Sequence, residues 1–141
     1  EYIYAVNLTK NFDFEVVSDV ILNLPGDNTL DVIESAKILS ALEVDGVKIH
    51  SLYIVEGTVF GEMYKEGNLD VCSFKDYVER AVTFLEHLSP SIVIHRLVAD
   101  PPSKGTLFGN WGKTKTEIIN AIEKRMAEKD THQGKRASNF D

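Results

Sequence analysis

Lys48 and His50 stand two residues apart in Val47-Lys48-Ile49-His50-Ser51-Leu52-Tyr53-Ile54-Val55. Along a strand such residues share a face, so Lys48, His50 and Leu52 point one way, and Val47, Ile49, Ser51 and Tyr53 the other. A cation and an imidazole directed to one side suit a polar cavity, where His50 could donate a hydrogen bond or carry charge near neutral pH. The plainer alternative is a buried histidine that only fixes packing. His95 and Arg96 are neighbours in another apolar run, and regular alternation sends them to opposite sides. Arg96 is then free for a carboxylate-bearing ligand or for a structural ion pair. Asp19 lies inside Val16-Val17-Ser18-Asp19-Val20-Ile21-Leu22, a run with buried-strand composition. An unpaired charge there is costly, so Asp19 is expected to face a cavity.

The segment Asn23-Leu24-Pro25-Gly26-Asp27-Asn28 follows that strand. Its amides could face a ligand at the start of the next helix, or Pro25-Gly26 could simply turn the chain and Asn28 cap the helix. Cys72 precedes the cap residue Ser73, a place that can lower a thiol pKa, though an ordinary loop or core cysteine fits equally. Phe108 and Trp111, among Lys104, Lys113 and Lys115, could stack on a nucleobase or a cofactor, or plug one end of the fold. His87 and His132 are isolated, and no histidine and carboxylate pair has metal-ligand spacing. Neither a catalytic triad nor a phosphate loop is present, so no catalytic or metal-binding residue is assigned.

Three strands and four or five helices must position these groups. Glu1 to Asn11 carry helical periodicity with Ile3 and Val6 inward, and Phe14 to Leu22 form the first strand. Asn28 caps a helix carrying Val32, Ile33, Ala36, Leu39 and Leu42, which leads through Asp45-Gly46 to the second strand, Val47 to Val55. This is a βαβ unit. A short amphipathic stretch from Val59 to Gly67 precedes a helix capped by Ser73, with Asp76 three residues later and an apolar stripe from Phe74 to Leu88. Ile92 to Val98 form the third strand, proline-rich chain follows, and Lys113 to Lys129 form the last helix. Strands alternating with helices imply a parallel α/β sheet. Residues 1–130 read as one structural unit and 131–141 as a polar tail expected to fray.

Of 141 residues, 43% are hydrophobic and 26% charged, and the net charge is −7. That composition belongs to an ordinary globular chain. The acidic balance argues against general nucleic-acid or anionic-membrane binding, although a local basic site remains open. One cysteine rules out an intramolecular disulfide, and no 18-residue apolar run occurs, so a cytoplasmic protein without membrane association is expected.

Asp19-Val20-Ile21-Leu22-Asn23-Leu24-Pro25-Gly26-Asp27-Asn28-Thr29, then a helix, then Asp45-Gly46-Val47-Lys48-Ile49-His50-Ser51-Leu52-Tyr53-Ile54-Val55-Glu56-Gly57-Thr58 resemble a known pair of segments. They are similar to the fifth and sixth strands of radical S-adenosylmethionine (SAM) barrels of the coproporphyrinogen-oxidase/MiaB-like superfamily, where "GLPGET" precedes "DGVKLHxLxxxxGT". Ser91 to Leu97 and His132-Gln133-Gly134-Lys135 resemble the C-terminal region of the YhcC/YtqA-type subgroup, so the likeness covers almost the whole chain. Two residues depart from the pattern: Asn23 stands where glycine is usual and Asp27 where glutamate is usual. The family's Cys-x3-Cys-x2-Cys motif is absent, and one thiolate, Cys72, cannot hold a four-iron cluster.

The resemblance implies an α/β fold, the C-terminal fragment of a partial (β/α) TIM-like barrel with about three parallel strands. It implies an iron-sulfur, SAM-dependent oxidoreductase-like parent, with SAM contacts from Asn23, Leu24, Pro25, Gly26, Asp27 and His50. The fragment alone would be inactive and hold neither SAM nor a 4Fe-4S cluster stably. Its expected partner is the N-terminal half of the barrel, and in isolation it would self-associate through uncovered strand edges. The rival reading is a non-catalytic α/β module that binds a partner.

Overall fold

The computed structural model describes residues 1–137. Helix α1 (Tyr2–Lys10) leads into strand β1 (Val17–Ile21), helix α2 (Thr29–Ala41) and strand β2 (Gly46–His50). After β3 (Ile54–Val55) come helices α3 (Val59–Lys65) and α4 (Phe74–His87), then β4 (Val93–Arg96) and β5 (Thr106–Phe108). A short 3-10 turn at Asn110–Gly112 precedes α5 (Lys115–Glu128). Strands β1, β2 and β4 form a parallel sheet in that order, which is the expected α/β arrangement with three parallel strands flanked by helices.

Each long helix begins where its sequence supplies an oxygen for orphan amides. Asn28 accepts from Leu30 N and Asp31 N while the Asp31 carboxylate accepts from Asn28 N, a reciprocal cap. Ser73 accepts from Asp76 N on α4, and Thr114 and Glu117 form a second reciprocal cap on α5. At the other end of α2, Lys10 Nζ donates to the carbonyls of Leu42 and Glu43, a cation at the negative end of the helix dipole.

The core lies on one side of the sheet. The apolar stripe of α4, including Tyr77, Ala81, Val82, Phe84 and Leu85, packs between the sheet residues Val47 and Ile49 and the inner faces of α2 and α5. Each such side chain contributes roughly 1.5–3 kcal/mol by leaving water, before the entropy of ordering the chain is subtracted. Among the described residues no helix covers the opposite side of the sheet: Val17, Ile21 and Val93 are 37%, 39% and 59% exposed.

Two expectations need correction. The second strand does not continue to Val55: it leaves the sheet after His50, and Ile54–Val55 pair antiparallel with β5 in a separate two-stranded ribbon. The cause is a contact between distant segments: the Asn23 side chain accepts from Leu52 N, which takes that backbone amide from the ladder, while the Ser51 hydroxyl beside it donates to Asn110. Nor does the tail fray over residues 131–137. Glu86, buried on α4, accepts hydrogen bonds from Lys129, Thr131 and Arg136, and Gln133 Nε2 donates to the carbonyls of Ser89 and Ile92. Expectations for 138–141 lie outside the described residues.

Candidate functional site at the carboxyl ends of the parallel strands

Asn23 to Asp27 follow the carboxyl end of β1. Asp27 N donates to Leu24 O at 3.0 Å with Pro25 and Gly26 between them and Gly26 at φ +88°, a type II turn. Glycine suits the positive φ, and a Cβ built there meets nothing within 4 Å, so the backbone of the turn is open on that side. The turn is anchored at both ends: Arg80 of α4 donates to Leu22 O at 3.1 Å and to Asp27 O at 3.0 Å. Asn23, 3% exposed, accepts from Leu52 N at 2.8 Å and so ties the turn to the chain leaving β2. Its Nδ2 is buried without a hydrogen-bond partner among the described residues. Where the family pattern has glycine, this chain has a side chain that pins two strand ends and keeps a spare donor.

Beside the turn is a cleft of about 300 Å³ lined by Tyr2, Asp19, Ile21, Leu24, Asp27 and Ser35 among others. A second hollow, of about 350 Å³, is lined by Asp19, Ile21, His50, Ser51, Leu52 and Tyr53. The two share Asp19 and Ile21, so they meet along β1. Asp19 is therefore not a buried strand carboxylate. β1 is an edge strand, the Asp19 side chain is 71% exposed, and its Oδ1 lies 3.8 Å from His50 Nε2.

His50 and Lys48 do share the helix-free face, as alternation requires, while Val47 and Ile49 enter the core. β4 departs from simple alternation. Val47 is in register with Ile94, but Lys48 is in register with Arg96, so His95 is an extra residue in β4. A bulge of this kind re-aims the side chains beside it. A Cβ on Gly46 would collide with the His95 ring, which places that ring on the face that Gly46 shares with Lys48. His95 and Arg96 thus both serve the helix-free face, contrary to the opposite sides that regular spacing predicts.

The other candidates take structural roles. Trp111 packs against Tyr77 (ring centroids 4.8 Å apart), Phe108 and Phe74, and donates from Nε1 to Cys72 O, so the aromatic group is a plug. The Cys72 thiol is pushed up by burial despite the nearby Arg80 charge, as suits an ordinary cysteine and not the lowered pKa that a place before a cap can give. Tyr77 is pushed above its ordinary value by burial. Among the described residues, no three His, Cys, Asp or Glu side chains group as metal ligands. Sequence reasoning missed Arg80 and Asn110. Arg80 had a visible signal, since it follows Tyr77 by three positions and so borders the buried stripe of α4, whereas Asn110 had none.

Residues 44–128 match the radical SAM C-terminal domain. The chain belongs to the radical SAM family. Over 95% of its length it is 32% identical to YtqA of Bacillus subtilis (strain 168), and over 96% it is 37% identical to a protein of Methanocaldococcus jannaschii. It is 28% identical to YhcC of Escherichia coli (strain K12) over 78% of its length. The chain spans 42% of the length of the first two relatives and 36% of the third. Among solved structures, Elp3 of Methanocaldococcus infernus covers 94% of the chain with a TM-score of 0.80 at 20% identity, and the chain covers 31% of that protein. That likeness concerns the fold, and it agrees with the C-terminal radical SAM portion expected from the strand motifs. No helix among the described residues is long and apolar enough to cross a membrane.

Proposed function

We propose that this chain forms the SAM- and substrate-facing C-terminal side of a radical SAM enzyme, completed by an N-terminal half of the barrel. The observation that carries the reading is the pinned, open-backed turn Leu24–Asp27 at the carboxyl end of a parallel strand, with the Asp19–His50 hollow beside it. Sites of parallel barrels gather at that end of the strands.

The residues fit SAM and do not fit the cluster. The clefts of about 300 and 350 Å³ fall at the lower end of small-molecule sites, the turn offers open backbone, and Asn23 Nδ2 is a buried donor in need of an acceptor. Asn23 to Asp27 would hold the nucleoside side of SAM, and His50 would contact SAM or substrate. For the cluster, a single partly buried cysteine is no ligand set, so the 4Fe-4S group is assigned to the N-terminal half. The chemistry expected of the cofactor pair is reductive cleavage of SAM to a 5′-deoxyadenosyl radical. This chain's residues bind and orient. Arg80 and Asn23 fix the turn before any ligand arrives, which reduces the ordering cost of binding.

The test is SAM titration and 5′-deoxyadenosine detection on the complete, anaerobically reconstituted protein, wild type against Gly26→Val. A β-branched residue is strained at φ +88°, so SAM affinity should fall at least about tenfold while circular dichroism stays native. Unchanged SAM affinity in a turn so disturbed contradicts the reading.

A further inference from the structure

The helix-free face carries two cations that make no salt bridge among the described residues. Lys48 and Arg96 lie in register on neighbouring strands, and strands in a sheet are about 4.8 Å apart. Like charges placed directly opposite destabilise a sheet. Asp19 occupies the register position on the other side of Lys48, yet the side chain within 4 Å of its carboxylate is the His50 imidazole, at 3.8 Å. Asp100, near enough to Tyr53 to raise its phenol pKa together with burial, is held by Lys115 at 2.8 Å.

The bulge sharpens the observation. In unbroken register the partner of Lys48 would be His95, and Arg96 would be displaced along the strand. A register shift that pairs an arginine with a lysine across the strands, in a chain of net charge −7, places two positive residues together on one face. A forked guanidinium and a point-charge ammonium on one wall match a phosphate or carboxylate, the first giving two parallel hydrogen bonds and the second a single strong one. The wall abuts the Asp19–His50–Tyr53 hollow, since His50 ends the strand that carries Lys48. The acids Glu15, Glu43 and Asp45 gather with His95 around a separate hollow beyond the other end of the strands.

We propose that Lys48 and Arg96 recognise an oxyanion, phosphate or carboxylate, on the substrate. This rests on reading the helix-free face as the substrate side. The experiment is isothermal titration of the complete protein with inorganic pyrophosphate and, in a separate arm, with succinate. The chains compared are wild type, Lys48→Gln, Arg96→Gln, the double variant, charge-retaining Lys48→Arg, and Lys37→Gln on the exposed side of α2 as control. Wild type and the control should bind one of the two anions, the arm that binds naming the source. Each neutralised single variant should lose about tenfold in affinity and the double variant essentially all of it, while Lys48→Arg retains binding. No binding of either anion to wild type, or wild-type affinity in the double variant, overturns the proposal. SAM titration of the same preparations keeps the two readings apart: Gly26→Val that loses SAM and keeps the anion leaves this assignment standing.

Discussion

The two faces of one three-stranded sheet differ more than any two elements of the molecule. On one face Val47 and Ile49 are fully covered by α2, α4 and α5. On the other, Asp19, Lys48, His50 and Arg96 stand among the half-exposed Val17, Ile21 and Val93. Because side chains alternate, the same five residues of β2 serve both purposes. The comparison teaches that the packed core and the candidate site are separated here by strand face and not by segment. A substitution's effect should therefore depend on the parity of its position.

The sharpest way to break the comparison is to open the covered face. Phe84→Ala removes a side chain with no exposure and should cost about 3–5 kcal/mol in denaturant unfolding. A cost below about 1 kcal/mol would mean that this face is not the core.

A smaller effect is expected behind that face, at Glu86. Burial alone would raise its carboxyl pKa, yet hydrogen bonds from Lys129, Arg136 and Thr131 hold it below the ordinary 4.5. A carboxylate with a depressed folded pKa stabilises fully above its unfolded value and loses that contribution as pH falls through the folded one. Glu86→Gln should therefore cost about 1–3 kcal/mol at neutral pH. The difference from wild type should stay flat above about pH 5 and shrink below about 4.5. A constant difference down to pH 3 would show that the charge does not fasten residues 129–136.

Least of all should be felt on the open face. Lys48→Gln removes a like charge from beside Arg96 and an opposite charge from beside Asp19 and exposes nothing, so stability should change by less than about 0.5 kcal/mol. A loss of more than 1 kcal/mol would make Lys48 a structural residue.

The sequence revealed what depends on local pattern. Asn28 and Ser73 announce their helices by side-chain type, the stripe on α4 announces its buried face, and Pro25-Gly26 announces a type II turn. The strand-end motifs pointed to the radical SAM fold from a handful of residues. What stayed hidden depends on contacts between distant segments. Leu52 leaves the sheet because Asn23, 29 positions away, takes its amide. The aromatic group settles as a plug because Trp111 reaches Cys72 across 39 positions. His95 and Arg96 face the same side because of one residue of register shift, which no alternation pattern in β4 could reveal. The tail is held by a carboxylate on α4, and its polar composition gave no hint of the grip.

Hydrogen–deuterium exchange of the complete reconstituted protein, with and without SAM, tests the central claim most directly. The account predicts slowed exchange at Asn23–Asp27 and around His50, with α5 unchanged. Protection confined to α5 and the tail, or none anywhere in this chain while SAM is bound, would contradict it.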